Sequence, residues 1–145
     1  MACEQLKLEN QLCFPLYAAS RLVIQEHQPH LEKLGITYPQ YLVLMVLWET
    51  DSIAVSEITR RLILNTNTIT PVLKRMEAQG IITRQRSEED ERKVIVTLTP
   101  KGKELQIEAA SIPEKLVSGL VSSNVKMEEL QTLKPLIRSF LMSVS

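Results

Sequence analysis

The stretch that decides the fold is residues 55–98, VSEITRRLILNTNTITPVLKRMEAQGIITRQRSEEDERKVIVTL. Ser56 is predicted to be the N-cap of a helix that ends at about Leu62, since a serine hydroxyl can accept from the free amides of a first helical turn. A polar turn follows, and a second helix is predicted from about Asn67 to Gln79 because its apolar residues recur with the helical period. A helix, a turn and a second helix are one arrangement with which proteins read double-stranded DNA.

The residues after the second helix predict a two-stranded hairpin. Gly80 is expected to end the helix, because glycine readily adopts the left-handed conformation found after helix C-termini. Ile81–Arg86 and Lys93–Leu98 alternate well enough for two antiparallel strands, and Ser87–Arg92 is a charged tip between them. A helix pair followed by such a hairpin is the arrangement of a winged helix-turn-helix.

Basic residues concentrate in this same part of the chain. Residues 60–86 contain six basic residues and one acidic residue, although the whole chain of 145 residues has a formal net charge of zero. A local basic surface on a neutral protein suits binding to phosphates. The alternative is a solvated basic face without a ligand, but these residues lie on the elements predicted to read DNA, which favours the first interpretation.

The start of the second helix is predicted to read bases. A helix fits the major groove, where each base pair shows its own pattern of donors and acceptors, and short polar side chains allow a close approach. Lys74 and Arg75 could reach phosphates or guanine edges, and Arg60 and Arg61 are expected to contact phosphates. The predicted DNA-binding residues are Asn67, Thr68, Thr70, Pro71, Lys74, Arg75, Arg84, Arg86, Asp90 and Arg92.

The hairpin tip is acidic, which is unusual for an element that approaches a polyanion. One hypothesis is that Asp90 holds Arg92 extended by a salt bridge, so that Arg92 alone enters the narrow minor groove. The alternative is an ordinary solvated hairpin tip.

The two ends of the chain are predicted to be helical and apolar. One helix is expected from about Phe14 to Gln28, ended by Pro29, and further helices open at Tyr38–Pro39 and Thr99–Pro100. These terminal helices have little else to cover, so pairing with a second subunit would bury them and present two reading helices to successive major grooves. Intrachain packing in a monomer is the alternative.

The fold class predicted from these patterns is mainly α (α+β), a winged helix-turn-helix with N- and C-terminal dimerisation helices. One domain is expected over residues 1–145, with a DNA-binding lobe at 38–100 and a helical dimerisation region at 8–34 and 101–145. The expected partners are a pseudo-palindromic double-stranded DNA operator and a second copy of the chain.

Several other classes of protein find no support in the sequence. No apolar run approaches the roughly 18 residues that span a bilayer, and the N-terminus lacks a signal-peptide pattern, so a cytoplasmic protein without membrane contact and with reduced cysteines is expected. Cys3 and Cys13 form no zinc motif, and His27 and His30 are expected at the surface, so no metal or cofactor is predicted. An enzyme is the weakest interpretation, because no nucleophile–base set or phosphate-cradling glycine loop is visible.

Three motifs resemble the MarR family of winged-helix regulators: LKRMEAQGIITR at 73–84, DER at 90–92 and LTPKG at 98–102. Two further segments, LENQLCF at 8–14 and ITYPQYL at 36–42, are similar to those of the OhrR subgroup within that family. The resemblance covers nearly the whole chain. It implies a homodimeric repressor that senses organic hydroperoxides through a cysteine.

The resemblance also implies roles for particular residues. Cys13 matches the cysteine that the peroxide oxidises, and Tyr38 matches the second of two tyrosines that hydrogen-bond this cysteine across the dimer. His27 stands at the position of the first tyrosine. The two-cysteine members carry a resolving cysteine in the C-terminal half, where this chain has none, so Cys3 is expected to be a bystander and a low-molecular-weight thiol is expected to trap the oxidised sulfur.

The residues themselves give a physical reason for a reactive Cys13. Pro15 lacks a backbone N–H and prefers the first turn of a helix, which places Cys13 at or near a helix N-terminus. The helix dipole there favours the thiolate, which is the reactive form, and a peroxide would oxidise it to sulfenic acid. The alternative for Cys13 is a small buried hydrophobic residue.

Two other functions stay open at this point. One is a MarR-type repressor that is released by a non-covalent phenolic ligand in a cleft between the dimer helices and the DNA-binding lobe. The other is a protein-interaction module that uses the winged helix without DNA. Salt-insensitive partner binding would favour this module, since phosphate contacts give a strong salt dependence.

Overall fold

The computed structural model describes residues 3–121 and 126–144, apart from the side chain of Leu130. Residues 1–2, 122–125 and 145 of the predicted domain therefore lie outside the described residues. Two 3-10 turns, Glu4–Leu6 and Leu8–Asn10, precede the first α-helix. The helices and strands that follow are α1 (Cys13–Glu32), α2 (Tyr38–Glu49), β1 (Ile53–Ala54), α3 (Val55–Leu62), α4 (Thr66–Ala78), β2 (Ile82–Arg86), β3 (Val94–Leu98), α5 (Pro100–Ala109), α6 (Ile112–Val121) and α7 (Met127–Val144).

Helix α1 runs through Pro29, so the prediction that the proline ends this helix is wrong. Proline removes one backbone donor, but His27 and Leu31 on either side are both buried and hold this part of the helix against the core. The helix instead closes at Gly35, whose φ of 71° lies in the left-handed region, and the N–H of Ile36 donates to the carbonyl of Leu31 at 3.2 Å.

Helix α2 lies in the middle of the fold, as its apolar sequence predicts. Thr37 caps its N-terminus in a reciprocal capping box with Gln40, and Pro39 occupies the first turn, where its missing N–H costs nothing. The core surrounds α2 where it meets α3, α4 and α5. Its fully buried members include Leu44, Leu47, Ile58, Ile69, Leu73, Met76 and Val96.

The predicted helix pair is present, with one correction at its start. The cap of α3 is Ala54 rather than Ser56, because Ala54 pairs with Ile95 of β3 and the extended backbone of β1 runs directly into the helix. Ile63 has a φ of 55° and is 51% exposed, since it forms the left-handed turn after α3. Asn65 caps α4 by accepting from the N–H of Thr68 at 3.1 Å.

The hairpin of β2 and β3 is confirmed, and β1 adds a third strand to give the antiparallel order β1–β3–β2. Gly80 has a φ of 74° and closes α4 as predicted. Thr99 caps α5 by accepting from the N–H of Gly102 at 3.2 Å. The mainly helical fold with a small antiparallel sheet confirms the predicted fold class.

Both ends of the described chain leave large apolar side chains exposed. Leu12 is 82% exposed before α1, and Phe140 is 61% exposed on α7. The others include Leu6, Leu8, Leu16, Leu22, Leu133 and Leu136. No helix among the described residues is long and apolar enough to cross a membrane.

Candidate functional site

The first turns of α4 present short polar side chains to solvent. Asn67 and Thr68 are exposed, while Ile69 beside them is completely buried and turns the opposite face of the helix into the core. The hydroxyl of Thr68 donates to the Asn65 side chain at 3.2 Å, and that of Thr70 donates to the carbonyl of Thr66 at 2.8 Å. Each hydroxyl has one proton, so the free lone pairs of both oxygens remain as acceptors.

The basic residues of the two helices fall into two groups. Arg60 pairs with Glu57, and Arg61 pairs with Glu49, so each of these two arginines, expected to contact phosphates, already has an acidic partner within the chain. The hydrogen bond from Arg60 lowers the pKa of Glu57 and keeps it ionised. Within the described part of the chain, exposed Lys74 forms no ion pair.

Arg84, predicted to bind DNA, braces α4 against β2. Its guanidinium donates to Glu77 near the end of α4, at 3.1 Å and 3.3 Å to the two carboxylate oxygens. This hydrogen bond holds the pKa of Glu77 below its usual value. The pair fixes the angle between the helix and the hairpin, which is a structural contribution to any groove formed between them.

The hairpin tip is held by its backbone. Asp90 accepts from the backbone N–H of Arg92 at 3.0 Å, and among the described residues no ion pair joins the two side chains, so the contact found is to the backbone and not the salt bridge of the hypothesis. The acidic side chain is used to close the turn, because an Asx-type contact needs an acceptor two residues before the amide. Arg86 donates to the carbonyl of Glu91 at 2.9 Å, and the Arg92 side chain is exposed.

A cleft of about 320 Å³ joins the start of α4 to the hairpin. It brings together three of the predicted residues, Thr70, Arg84 and Arg92. Lys93 also lines it and was missed by the sequence reasoning, although its place directly after Arg92 was a usable signal. Asn67, Thr68, Pro71, Lys74 and Arg75 lie along the exposed side of α4, outside this cleft.

Cys13 is the first residue of α1 and is exposed, which agrees with the helix N-terminus predicted from Pro15. The N-cap, Leu12, offers no side-chain acceptor, so the first amides of the helix are left without a side-chain partner there. Cys3 is also a free, exposed thiol. No cluster of metal-binding side chains is found among the described residues.

His27 is only 7% exposed, so the prediction of a surface histidine is wrong. Its Nδ1 lies 2.9 Å from the carbonyl of Val23, and because a carbonyl can only accept, Nδ1 carries the proton. The ring lies against Tyr38, with centroids 4.8 Å apart, and near Tyr41 at 6.0 Å. Tyr41 was missed from the sequence, although its place one helical turn after Tyr38 was a signal.

The two tyrosines remain protonated well beyond neutral pH. Burial raises the pKa of Tyr38, and burial together with the neighbouring Tyr38 raises the pKa of Tyr41. Tyr38 therefore keeps its hydroxyl as a hydrogen-bond donor. It also lines a cleft of about 280 Å³ between α1 and the start of α2, formed with Ile24, Leu31, Ile36 and Thr37 among others.

Cys13 and His27 lie on the same straight element and do not meet within one chain. They are separated by 14 residues of α1, which at 1.5 Å per residue corresponds to about 21 Å. His27 and Tyr38 are brought together, but Cys13 is far from both. Any contact between Cys13 and these two residues therefore needs a second chain.

A helix pair followed by a hairpin that carries arginines, with polar side chains on the open face of the second helix, defines a winged-helix DNA-binding transcriptional regulator. Comparison with known proteins agrees with this class. Residues 25–108 match the family described as "Transcriptional regulator SarA/Rot". The "Organic hydroperoxide resistance transcriptional regulator" of Bacillus subtilis (strain 168) is 49% identical over 95% of this chain and 92% of its own length.

Two solved structures of AbfR, a protein of Staphylococcus epidermidis, are also similar. Reduced AbfR bound to DNA has a TM-score of 0.75 and 38% identity, covering 98% of this chain and 96% of its own. Overoxidised AbfR bound to DNA has a TM-score of 0.74 and 40% identity, covering 97% and 98%. The chain belongs to the MarR family of transcriptional regulators, in the organic hydroperoxide resistance subgroup, and this class of protein is not enzymatic.

Proposed function

We propose that this protein is a homodimeric repressor that releases operator DNA when an organic hydroperoxide oxidises Cys13. The observation that carries the proposal is the distance of about 21 Å along α1 between exposed Cys13 and buried His27, which packs against half-buried Tyr38. A reactive thiol and the hydrogen-bonding groups that would hold it belong to one site only if a second subunit supplies one of them. The similarity to a regulator named for organic hydroperoxide resistance supports the same proposal.

The exposed apolar residues at both ends support the dimer. Side chains such as Leu12 and Phe140, more than half exposed in one chain, gain most by burial against a second copy. Residues 8–34 and 101–145 form the proposed dimerisation region, and residues 38–100 form the proposed DNA-binding lobe. Two such lobes related by a two-fold axis would read a pseudo-palindromic operator.

In the proposed complex α4 is the recognition helix. Its start, from Asn67 to Pro71, reads base edges, where the hydroxyl oxygens of Thr68 and Thr70 accept from base amino groups. Lys74 and Arg75 bind phosphates or guanine, and Arg92 enters the minor groove. Arg84, Arg86 and Asp90 hold the hairpin in shape, a role inferred from the contacts that they make within the chain.

The proposed signal is a balanced redox step. The Cys13 thiolate attacks one oxygen of the hydroperoxide, the O–O bond breaks, the sulfur is oxidised to sulfenic acid, and the alkoxide that leaves takes up a proton to become an alcohol. A low-molecular-weight thiol then condenses with the sulfenic acid to give a mixed disulfide and water. The added atoms displace Cys13 from Tyr38 of the other subunit, and the two recognition helices lose their spacing.

The proposal is tested by DNA binding at fixed salt, first with reduced protein and then after treatment with an organic hydroperoxide, with intact mass measured in parallel. Native protein is expected to gain mass at Cys13 and to lose DNA affinity by about 5- to 150-fold. Cys13→Ser should bind DNA as the reduced protein does, and should ignore the peroxide. Cys3→Ser is the matched control and should respond normally. If peroxide still releases DNA from Cys13→Ser, the sensor assignment is wrong.

A second candidate is release by a non-covalent phenolic ligand. The cleft of about 280 Å³ beside Tyr38 favours it, since its lining combines aliphatic side chains with a phenol hydroxyl. In that case a phenolic compound such as salicylate would release DNA from Cys13→Ser as well as from the native protein. If salicylate does not release DNA from either protein, release by a phenolic ligand is no longer a candidate function.

A further inference from the structure

Gln40 connects the start of α2 to the end of α4 through its side chain. It is a buried polar residue, 3% exposed, in the first turn of α2. Its Nε2 donates to Oε1 of Gln79 at 3.0 Å, and Gln79 is the C-cap of α4. Its Oε1 accepts from the backbone N–H of Thr37 at 3.1 Å. A buried side-chain amide whose N–H and C=O are both hydrogen-bonded has one favourable geometry, so it fixes the position of the start of α2 relative to the end of α4.

Gln79 extends this connection to the residues on either side. Its Nε2 donates to the carbonyl of Gly35 at 3.1 Å, in the loop before α2. Its backbone carbonyl accepts from Nζ of Lys101 at 2.9 Å, at the start of α5. The end of α4 is thereby tied to the turn that begins α2, by contacts that lie 39 to 44 residues apart in sequence.

Tyr38 lies in that same first turn of α2. It precedes Gln40 by two residues, stands next to the cap residue Thr37, and packs against buried His27. A rigid helical turn moves as one body, so a force on the Tyr38 side chain also moves the Thr37–Gln40 capping box. The side chain of Gln40 would move with this turn, and its hydrogen bond to Gln79 would either shift the end of α4 or break.

We propose that the Gln40–Gln79 amide pair is a positioning element that transmits a displacement at Tyr38 to the C-terminal end of recognition helix α4. The inference rests on the proposed sensing at Tyr38, but concerns a contact within one subunit. Helix α4 has 13 residues, or a length of about 20 Å, so a tilt of about 5° at its end moves the other end by about 1.7 Å. A shift of this size breaks hydrogen bonds to base edges.

The other end of α2 provides a matched control. There the Trp48 Nε1 donates to the carbonyl of Gly102 at 2.9 Å, which ties α2 to α5 instead of α4. Loss of this hydrogen bond should lower stability without affecting the transmission to the recognition helix. Trp48→Phe therefore separates a general weakening of α2 from loss of the proposed connection.

Two variants break the amide pair from opposite sides. Gln40→Glu keeps an oxygen for the Thr37 N–H, and with it the capping box, but removes the donor to Gln79. Gln79→Ala removes both contacts of this side chain, the acceptor for Gln40 and the donor to the Gly35 carbonyl, at an exposed residue where the protein is expected to fold. For each protein we would measure the dissociation constant for operator DNA before and after treatment with an organic hydroperoxide, the oxidation of Cys13 by intact mass, and thermal unfolding.

Both variants should oxidise at Cys13 as the native protein does, but the ratio of oxidised to reduced dissociation constants should fall by about three- to tenfold. The double variant should show the same fall, because one shared contact is not lost twice. Trp48→Phe should unfold at a lower temperature and keep the native ratio.

An unchanged ratio in Gln79→Ala, with Cys13 oxidised and the native protein responding, would overturn the inference. If Gln40→Glu does not fold, Gln79→Ala alone decides. A fall of the same size in Trp48→Phe would also overturn it, since the loss would then be general. If oxidation at Cys13 leaves the DNA affinity of the native protein unchanged, the proposed function itself has failed, which is seen before any of these substitutions is made.

Discussion

Replacing Gly102 by alanine should destabilise the protein, although alanine is the better helix former. A Cβ atom at this residue of α5 would lie 2.3 Å from the carbonyl oxygen of Ile81 and 3.1 Å from Cδ2 of Leu98. The oxygen belongs to the backbone that enters β2 and cannot rotate away, so α5 must move from the hairpin. The Gly102 carbonyl also accepts from Trp48, and that hydrogen bond weakens with the same movement.

The size of the effect follows from opposing contributions. Overpacking of this kind costs about 1–3 kcal/mol, and weakening the Trp48 hydrogen bond adds up to about 1 kcal/mol. The higher helix propensity of alanine offsets up to about 1 kcal/mol of this loss in stability. A net loss of about 1–3 kcal/mol is expected, which corresponds to a fall of roughly 5 °C in Tm.

Gly119 of α6 provides the matched control, because among the described residues of one chain a Cβ there would meet only Oε2 of Glu26, at 3.8 Å. Gly119→Ala is expected to stabilise the protein by about 0.5–1 kcal/mol. Both variants should be compared with the native protein by urea and thermal unfolding at one protomer concentration, since dimer formation makes Tm depend on concentration. A Gly102→Ala protein as stable as Gly119→Ala would refute the steric reasoning.

Three further predictions concern the DNA-binding lobe. Asn65→Ala removes the N-cap of α4 and should cost about 1 kcal/mol of unfolding free energy, read from the urea midpoint at unchanged slope; no change there would mean that the cap is redundant. Arg92→Ala should weaken DNA binding and reduce the slope of log affinity against log salt by about 2 for a dimer, about 1 for each subunit, whereas Arg60→Ala, whose side chain pairs with Glu57, should change neither; equal effects would contradict the distinction between paired and free arginines. Arg84 lowers the pKa of Glu77, so the stabilising effect of this ion pair is present above the usual pKa of 4.5 and disappears as the pH falls through the lower pKa of the folded protein. The difference in stability between the native protein and Glu77→Gln should therefore be constant from pH 6 to 8 and shrink in acid. A difference that grows in acid would contradict the direction of this shift.

The proposed signal and the proposed response involve different parts of the chain. Tyr38 and His27 lie where α1 meets the start of α2, whereas the residues proposed to read bases begin with Asn67, at the end of α4 that lies away from Gln79. The contacts of Gln40 and Gln79 lie between these two regions. Through them a small movement at Tyr38 would change the position of α4. The capping box and the amide pair use the same side chain, so the start of α2 cannot move without affecting both.

Much of the fold could be predicted from local patterns. The stripe of Ile69, Val72, Leu73 and Met76 predicts which face of α4 is buried; Val72 is partly buried, and the other three are at most 1% exposed. The end of α4 at Gly80 and the start of α5 at Thr99 were also predicted from local patterns, since each depends only on the residues of the adjacent helix end. The errors fall where a distant residue decides. Pro29 does not end α1 because Leu31 is anchored in the core, and Ser56 is not the cap because β3 pairs with the residues before it.

By itself the sequence determined the helices, the hairpin and the chemistry available to them, because caps, turns and hydrophobic periods act over a few residues. It also put Cys13 at the start of a helix through Pro15. Only the tertiary structure decided which polar groups are already engaged: Asp90 closes a turn instead of holding Arg92, Arg84 is bound to Glu77, and His27 is buried beside Tyr38. A hydrogen bond or ion pair depends on distances of about 3 Å between residues far apart in the chain, and no local pattern contains them.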